Sequence, residues 1–352
     1  MIGTSKRLTK GSGMRTQVFL TIDTESSIGG AWSDPSRRPL PASHRVFCQN
    51  DSGAYGIPLI VEILREYGMC ATFFYETLAS LVLGESDIAR GINYLLEAGQ
   101  DVQLHVHPTF RHYHDYLQSG DRTTLRAKAR LPDLMDMYPE QEQVAFIQEA
   151  MTILRRYTGA HPDAFRAGCY AANHSTLRAL RHVGIPIDSS YNPAYCSFHS
   201  FSERPLATNE VQKIEQTWEF PVTVARTRIG EGAYKPLEIS AISSWEMERS
   251  LIALHENDVP HVVLMFHSFS AVKARNVYYS AFRPDRIVIH RLRRLVRFLA
   301  RHHDRFQVTT FHEAAQNLTS LQPTAKSVLP DLGMLHPAMR KLTQGVNRFY
   351  WV

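Results

Sequence analysis

Short apolar runs and stretches of helical periodicity take turns along this chain from residue 16 to residue 316. Val18–Ile22, Cys70–Tyr75, Asp101–Val106, Ala164–Tyr170, Ile185–Ser189, Trp218–Val224, His261–Phe266 and Phe306–Thr310 are β-prone and bounded by turn residues. Between them, Ile57, Val61, Leu64 and Tyr67 recur at helical spacing after Pro58 and stop at Gly68. Further helices are predicted over Ile88–Ala98, Glu140–Tyr157, Asn173–Val183 with Asn173 as cap, Ser244 to about Asn257, and Arg286–His302. Another begins at Phe311. The run HVVLMF at 261–266 has no polar alternation, as befits a strand buried on both faces. Such alternation of strands and helices predicts a parallel α/β fold, and six or seven βα units favour a (β/α) barrel over an open doubly wound sheet.

The remaining stretches read differently. Ser26–Asp51 is a long irregular loop directly after the first strand, a position where loops carry function. Arg111–Tyr138 reads as polar and irregular. Residues 1–15 are rich in Gly, Ser and Lys and are expected to be disordered. The barrel is expected over 16–317 and a C-terminal helical extension over 318–352, where Leu329, Leu332, Leu335 and Met339 are roughly helical in spacing.

Charge and cysteine usage narrow the function classes. The net charge of +5 and a pI near 9.0 suit an anionic partner, but no nucleic-acid recognition signature accompanies them. No GxGxxG or P-loop points to a nucleotide cofactor. Cys48, Cys70, Cys169 and Cys196 form neither a CxxC nor a disulfide framework and read as reduced thiols. The first residues lack an apolar signal-peptide core, and no apolar window reaches membrane-spanning length, so a cytoplasmic protein is expected.

The candidate chemistry sits at predicted strand ends, where a parallel barrel gathers its active site. Asp23 and Glu25 end the first strand at i, i+2 and so project to the same side. Two adjacent acids need a cation or a shared proton. His105 and His107 end the third strand at the same spacing. Their Cα atoms are roughly 6–7 Å apart, so two imidazoles leaning together can meet one Zn2+. Arg166, followed by Gly168, ends another strand and is of the type that holds a buried carboxylate ionised. Asp188 follows the next. His267 directly follows the buried run at 261–266, and its ordinary pKa suits proton donation near neutrality. His112 and His114 repeat the i, i+2 spacing but on polar chain, and are read as lying outside the site.

In this order the residues resemble the polysaccharide deacetylase family, the NodB-homology or carbohydrate esterase family four. The resemblance runs over about residues 16–316: TIDTE at 21–25, Gly-Ile-Pro and then Ala-Thr-Phe-Phe within 56–74, His-Pro at 107–108, Phe-Arg-Ala-Gly-x-Tyr at 165–170, Ile-Asp-Ser-Ser at 187–190, and the late strand ending in His267-Ser268. Within the family the chain is most similar to the WalW-like branch associated with lipopolysaccharide biosynthesis. The resemblance implies a distorted (β/α) barrel of about seven parallel strands and a divalent metal held by one acid and two histidines. It implies Asp23 as base, Arg166 as the arginine that orients it, and Tyr170 as the position whose backbone N–H meets the oxyanion. It also implies His267 as the acid and Asp188 as that histidine's supporting carboxylate. Two positions depart from the family pattern. Thr24 stands where the pattern has a ligand aspartate, and Gln103 where it has the first histidine, which leaves Glu25, His105 and His107 as the ligand set.

The expected activity is Zn2+-dependent removal of an N-acetyl group from a sugar or glycan precursor. Hydrolysis of another C–N bond, a cyclic imide or formamide, is the alternative within the enzymes. A barrel that binds glycans without catalysis is the alternative outside them. Lys341, Arg348, Phe349, Tyr350 and Trp351 make the tail a candidate for peripheral contact with an anionic membrane.

Overall fold

The sheet is built outward from its first strand. A computed structural model describes residues 14–34, 36–120, 133–195, 201, 206, 208–228, 234–323 and 327–333. Its main sheet contains β1 (Thr16–Thr24), β2 (Thr72–Glu76), β3 (Asp101–Val106), β4 (Ala164–Ala167), β5 (Ile187–Asp188), β6 (Gln212–Ile214), β7 (Thr217–Glu219), β8 (His261–His267) and β9 (Phe306–Thr309). The spatial order is β8-β1-β2-β3-β4-β5-β7-β6, and only β6 runs antiparallel. One edge of β1 pairs with β8 from Gln17↔His261 to Asp23↔His267. The other edge is shared, with β9 beside Thr16–Phe19 and β2 beside Thr21–Thr24.

The sheet curls into the distorted barrel expected of the sequence. Between β7 and β8 the wall is completed by irregular chain rather than by a strand. Phe220 N–H donates to the Asp188 carbonyl (2.8 Å), Thr223 N–H to Val263 (3.0 Å) and Met265 N–H to Leu237 (3.4 Å). Strand alternation sorts the core into two layers. Val18, Leu20 and Ile22 face outward and join the helix-covered core with Ile57, Ile60, Leu95 and Leu292. Phe19, Phe74, Val263 and Phe220 face inward and, with Phe311, plug the barrel below the strand ends. Phe19 stacks on Phe311 with centroids 4.7 Å apart.

The helices start where the capping chemistry allows: α1 (Ile57–Arg65), α2 (Glu85–Glu97), α3 (Pro108–Ser119), α4 (Glu140–Thr158), α5 (His174–Val183), α6 (Ser244–Glu256), α7 (Arg286–Arg301) and α8 (Phe311–Ala315). Asn173 and Thr176 form the capping box of α5. On α6 the cap is Ser243, reciprocated by Glu246, one residue before the expected Ser244. Helix α3 overturns the reading of an irregular stretch from Arg111. Pro108 occupies its first turn and Gly120 its left-handed C-cap, while Phe110, His112 and Tyr113 are buried.

No helix among the described residues is long and apolar enough to cross a membrane. The helical spacing of Leu329 and Leu332 is not realised, because residues 327–333 carry no helix. Instead the Arg226 N–H donates to the Pro330 carbonyl (2.7 Å), the Leu332 N–H donates to the Arg226 carbonyl (3.0 Å), and Leu332 enters the core. Leu335, Met339, the aromatic tail and residues 1–13 lie outside the described residues.

Removing the ring that plugs the barrel should leave a cavity. Phe311→Ala is expected to cost about 3–5 kcal/mol, read as a lower urea midpoint at an unchanged m-value. An unchanged midpoint contradicts the plug.

Candidate metal centre at the strand ends

Three ligand atoms converge where β1 and β3 end. Glu25 Oε2 lies 2.5 Å from His107 Nε2 and 3.5 Å from His105 Nε2, and the two Nε2 atoms are 3.1 Å apart. All three residues are buried. The strand geometry explains the meeting, because i, i+2 residues share a face. Thr24, the residue between the two acids, turns away and donates to its own strand at Ile22 (3.2 Å). Gln103 is committed elsewhere: its amide oxygen accepts from the N–H groups of Asp163 and Ala164 (both 2.9 Å), tying β3 to β4.

The tautomers decide what the convergence means. His105 Nδ1 donates to the Arg166 carbonyl (2.8 Å) and His107 Nδ1 donates to Asp133 Oδ2 (2.9 Å). With those protons committed, each Nε2 presents a lone pair unless its ring takes a second proton. Two lone pairs and a carboxylate this close need a proton or a metal cation among them. Two imidazoles and one carboxylate form a common catalytic-zinc donor set, and ligand imidazoles are commonly held by a carbonyl or carboxylate on the far nitrogen. The residues therefore fit a divalent metal. Gly168 completes the packing, since a Cβ there would lie 2.5 Å from His107 Nδ1.

Electrostatics follow the same geometry. Burial opposes a charge on His107, but Asp133 and Glu25 outweigh it and hold the imidazole well above its usual pKa. Burial raises Glu25, but His107 and Arg45 outweigh that and hold it well below the usual range. Arg45 donates to Glu25 Oε1 (2.6 Å) with its guanidinium 3.7 Å from the centre of the Phe269 ring. Cys169 Sγ lies 3.7 Å from Asp133 Oδ2, so His107, Asp133 and Cys169 form a second close group. Burial and the Asp133 charge push that thiol up to about 12, so in the metal-free protein it is a neutral donor to Asp133.

Asp23 stands beside this cluster with its own partner. Arg166 is fully buried and donates to Asp23 Oδ1 (2.7 Å), Thr21 Oγ1 (2.9 Å), the Ser189 carbonyl (2.8 Å) and Ser189 Oγ (2.9 Å). Its guanidinium also lies 4.3 Å over the Phe74 ring. Burial raises Asp23, but Arg166, His105 and His267 together hold it below the ordinary carboxylate value. His267 is the register partner of Asp23, and its ring packs on Phe269 at 4.8 Å. Tyr170 follows in a strained turn, with Cys169 and Tyr170 at φ 55° and 58°, and its ring stacks on Tyr195.

Asp188 corrects the expectation placed on it. Its carboxylate meets Ser190 Oγ (2.5 Å) and the Glu219 carboxyl of the facing strand, not His267. Burial raises both acids, and their proximity favours keeping one proton on the pair. His112 stacks on Tyr138 and His114 donates to the Leu81 carbonyl (2.8 Å), away from the cluster. Arg45, Asp133 and Glu219 are the residues that the sequence reading missed. Arg45 ends a short helix (Ala42–Arg45) in the long segment after β1 and Asp133 lies in a loop, neither placed by any spacing, and Glu219 lay unremarked inside a predicted strand.

Residues 45–187 match the family model described as polysaccharide deacetylase. A protein from Mycobacterium smegmatis assigned as a polysaccharide deacetylase is similar in fold: TM-score 0.51 at 15% identity, covering 93% of this chain and 99% of that one. A family 4 carbohydrate esterase from Streptomyces lividans has TM-score 0.43 at 11% identity over 90% and 98% of the two chains. A peptidoglycan deacetylase from Bacillus subtilis has 0.39 at 10% identity over 88% and 96%. The fold likeness rests on the first of these. No curated protein matches the sequence.

The His107 pKa makes stability depend on pH in the metal-free protein. Its folded value is raised, so the stabilisation is fully present below about pH 6.5 and is lost as pH rises through the raised value. Buried Glu76, pushed up to about 8, acts in the same direction. Chelator-treated protein should therefore melt at falling temperature as pH rises above about 6.5. Asp133→Asn should show a shallower fall, and Zn2+ should restore the alkaline melting temperature. Identical pH slopes in the two proteins contradict the assignment.

Proposed function

We propose that this chain is a metal-dependent hydrolase that removes an N-acetyl group from an amino sugar of a glycan or glycan precursor. The observation that carries the reading is the double use of Arg166. Its guanidinium holds Asp23 and its carbonyl holds His105, so a base carboxylate and a donor set of two imidazoles and one carboxylate are built as one unit. The polysaccharide deacetylase match over residues 45–187 supports the same chemistry.

Glu25, His105 and His107 would hold the metal, and their donor set favours Zn2+. When bound, such a metal lowers the pKa of water and polarises an acyl carbonyl. Asp23, kept ionised by Arg166, takes a proton from the attacking water. The water oxygen bonds to the acetyl carbon, and the carbonyl oxygen gains charge against the Tyr170 backbone N–H. His267 gives a proton to the nitrogen as the C–N bond breaks, which leaves acetate and a free amine. Asp188, Glu219 and Ser190 hold the β4–β5 strand ends: Ser190 Oγ accepts from the Ala167 N–H (2.8 Å), next to Arg166 and Gly168. A cytoplasmic setting and a role in lipopolysaccharide biosynthesis belong to the same proposal, with a soluble or lipid-linked precursor as substrate.

Asp23→Asn and His267→Ala are each expected to lower acetate release from N-acetylated sugars by about 10²–10⁴-fold while the protein still binds one equivalent of Zn2+. Near-full turnover in either variant removes the role assigned to that residue.

A further inference from the structure

Asp188 ends β5 and Glu219 ends β7. They are register partners, and neither has any solvent exposure. Glu219 Oε1 accepts from the Tyr191 N–H (3.0 Å), and Asp188 Oδ1 accepts from Ser190 Oγ (2.5 Å). The other two oxygens, Asp188 Oδ2 and Glu219 Oε2, are buried and meet no donor group among the described residues. The carboxyl groups bond to each other instead. An ionised carboxylate only accepts hydrogen bonds, so that contact needs a proton on one of the two acids.

The charges around the pair point the same way. Arg166 of β4 faces both acids, but its guanidinium already serves Asp23. Gln212 of β6, the register partner of Glu219, is neutral, and Lys213 lies over the Trp218 ring. On α5, which packs against β5 and β7, His174 lies 3.6 Å from Glu215 and Arg178 bonds to Glu140. Among the described residues nothing is left to offset a second negative charge on the pair.

The strand ends that carry the two acids are also those on which Arg166 rests. Ser189 follows Asp188. Its carbonyl accepts from Arg166 Nε (2.8 Å) and its hydroxyl oxygen from Nη2 (2.9 Å). Ser189 Oγ donates in turn to the carbonyl of Phe220 (2.9 Å), the residue after Glu219. The Phe220 N–H returns to the Asp188 carbonyl (2.8 Å). Arg166 Nη1 is the nitrogen that reaches Asp23 and Thr21. Repulsion between Asp188 and Glu219 would therefore act one residue away from the two groups that hold the far side of the guanidinium.

We propose that Asp188 and Glu219 are a positioning pair that shares one proton, and that this proton holds Ser189 under Arg166 and so keeps Arg166 fixed on Asp23. Loss of the proton at alkaline pH slackens the β5–β7 junction and the arginine with it. The sharing and the hold on Arg166 are independent of the reaction. Only the consequence for turnover rests on the deacetylase reading.

The test uses full-length, Zn2+-loaded protein with two single variants, Glu219→Gln and Asp188→Asn. Each replaces the shared proton by an amide N–H, so the pair keeps one donor and one charge at every pH. Exchange of the Arg166 Nε–H, assigned by its loss in Arg166→Lys, is followed by nitrogen-15 NMR. Acetate release from triacetylchitotriose is measured over the same range, about pH 6 to about pH 10. At the alkaline end the Nε–H should exchange about tenfold or more slowly in either variant than in the parent. The alkaline fall in kcat should move up by about one pH unit or more in Glu219→Gln, with kcat at neutral pH kept within about threefold. Identical exchange in parent and variants overturns the proposal, and leaves the deacetylase reading standing if acetate is released. Failure of both variants to fold also overturns it, since each preserves the bond. Slower exchange with an unmoved alkaline limb removes the hold on Asp23. Slower exchange without acetate release from any of the proteins leaves the pair standing and removes the deacetylase reading.

Discussion

Two imidazole lone pairs and a carboxylate held within 3.5 Å of one another repel unless a proton or a metal cation lies among them. The rest of the site is arranged so that this cannot relax. The His105 ring is pinned by the Arg166 carbonyl, the His107 ring by Asp133 and by the close approach of Gly168, and the Glu25 carboxylate by Arg45. The pins come from three segments, Arg45 after β1, Asp133 after α3, and Arg166 with Gly168 at the end of β4, so the cluster exists only when β1, β3, β4 and these connections are all in place. The parallel register supplies that condition, setting Glu76 opposite His105, His105 opposite Arg166 and Asp23 opposite His267.

Arg166 is where fold and chemistry are hardest to separate. A guanidinium with no solvent exposure is costly to bury unless its donors are met. Here they are met by Asp23, Thr21 and both oxygens of Ser189, with the Phe74 ring beneath. The planar fork of donors suits this arrangement, and a lysine could not reproduce it. Asp23 is thereby kept ionised despite burial, beside the aromatic plug of Phe19, Phe74, Phe220 and Phe311.

Much of this was legible in the sequence because it follows from strand periodicity. Asp23 with Glu25 and His105 with His107 are i, i+2 pairs at the ends of apolar runs, and the structure brings Glu25, His105 and His107 together as that spacing requires. The same rule explains why Thr24 is absent from the cluster, and Gln103 is spent on the β3–β4 edge. What spacing could not supply is the path of the loops. Arg45 read as one basic residue in a long irregular segment, and Asp133 lay in a stretch without periodicity. Asp188 was found but its partner was not, because pairing with Glu219 depends on strands far apart in sequence meeting in register. Helix α3 was missed through its polar surface, although Pro108, Gly120 and the spacing of Phe110 and Tyr113 mark it.

The proposed chemistry depends on the cation that Glu25, His105 and His107 would hold. The direct measurement is anomalous diffraction at the zinc edge from crystals of the full chain grown with Zn2+. One peak about 2.0–2.2 Å from Glu25 Oε2, His105 Nε2 and His107 Nε2 is the predicted result. No peak there, or a peak ligated through Thr24 or through Cys169 in place of Glu25, would contradict it.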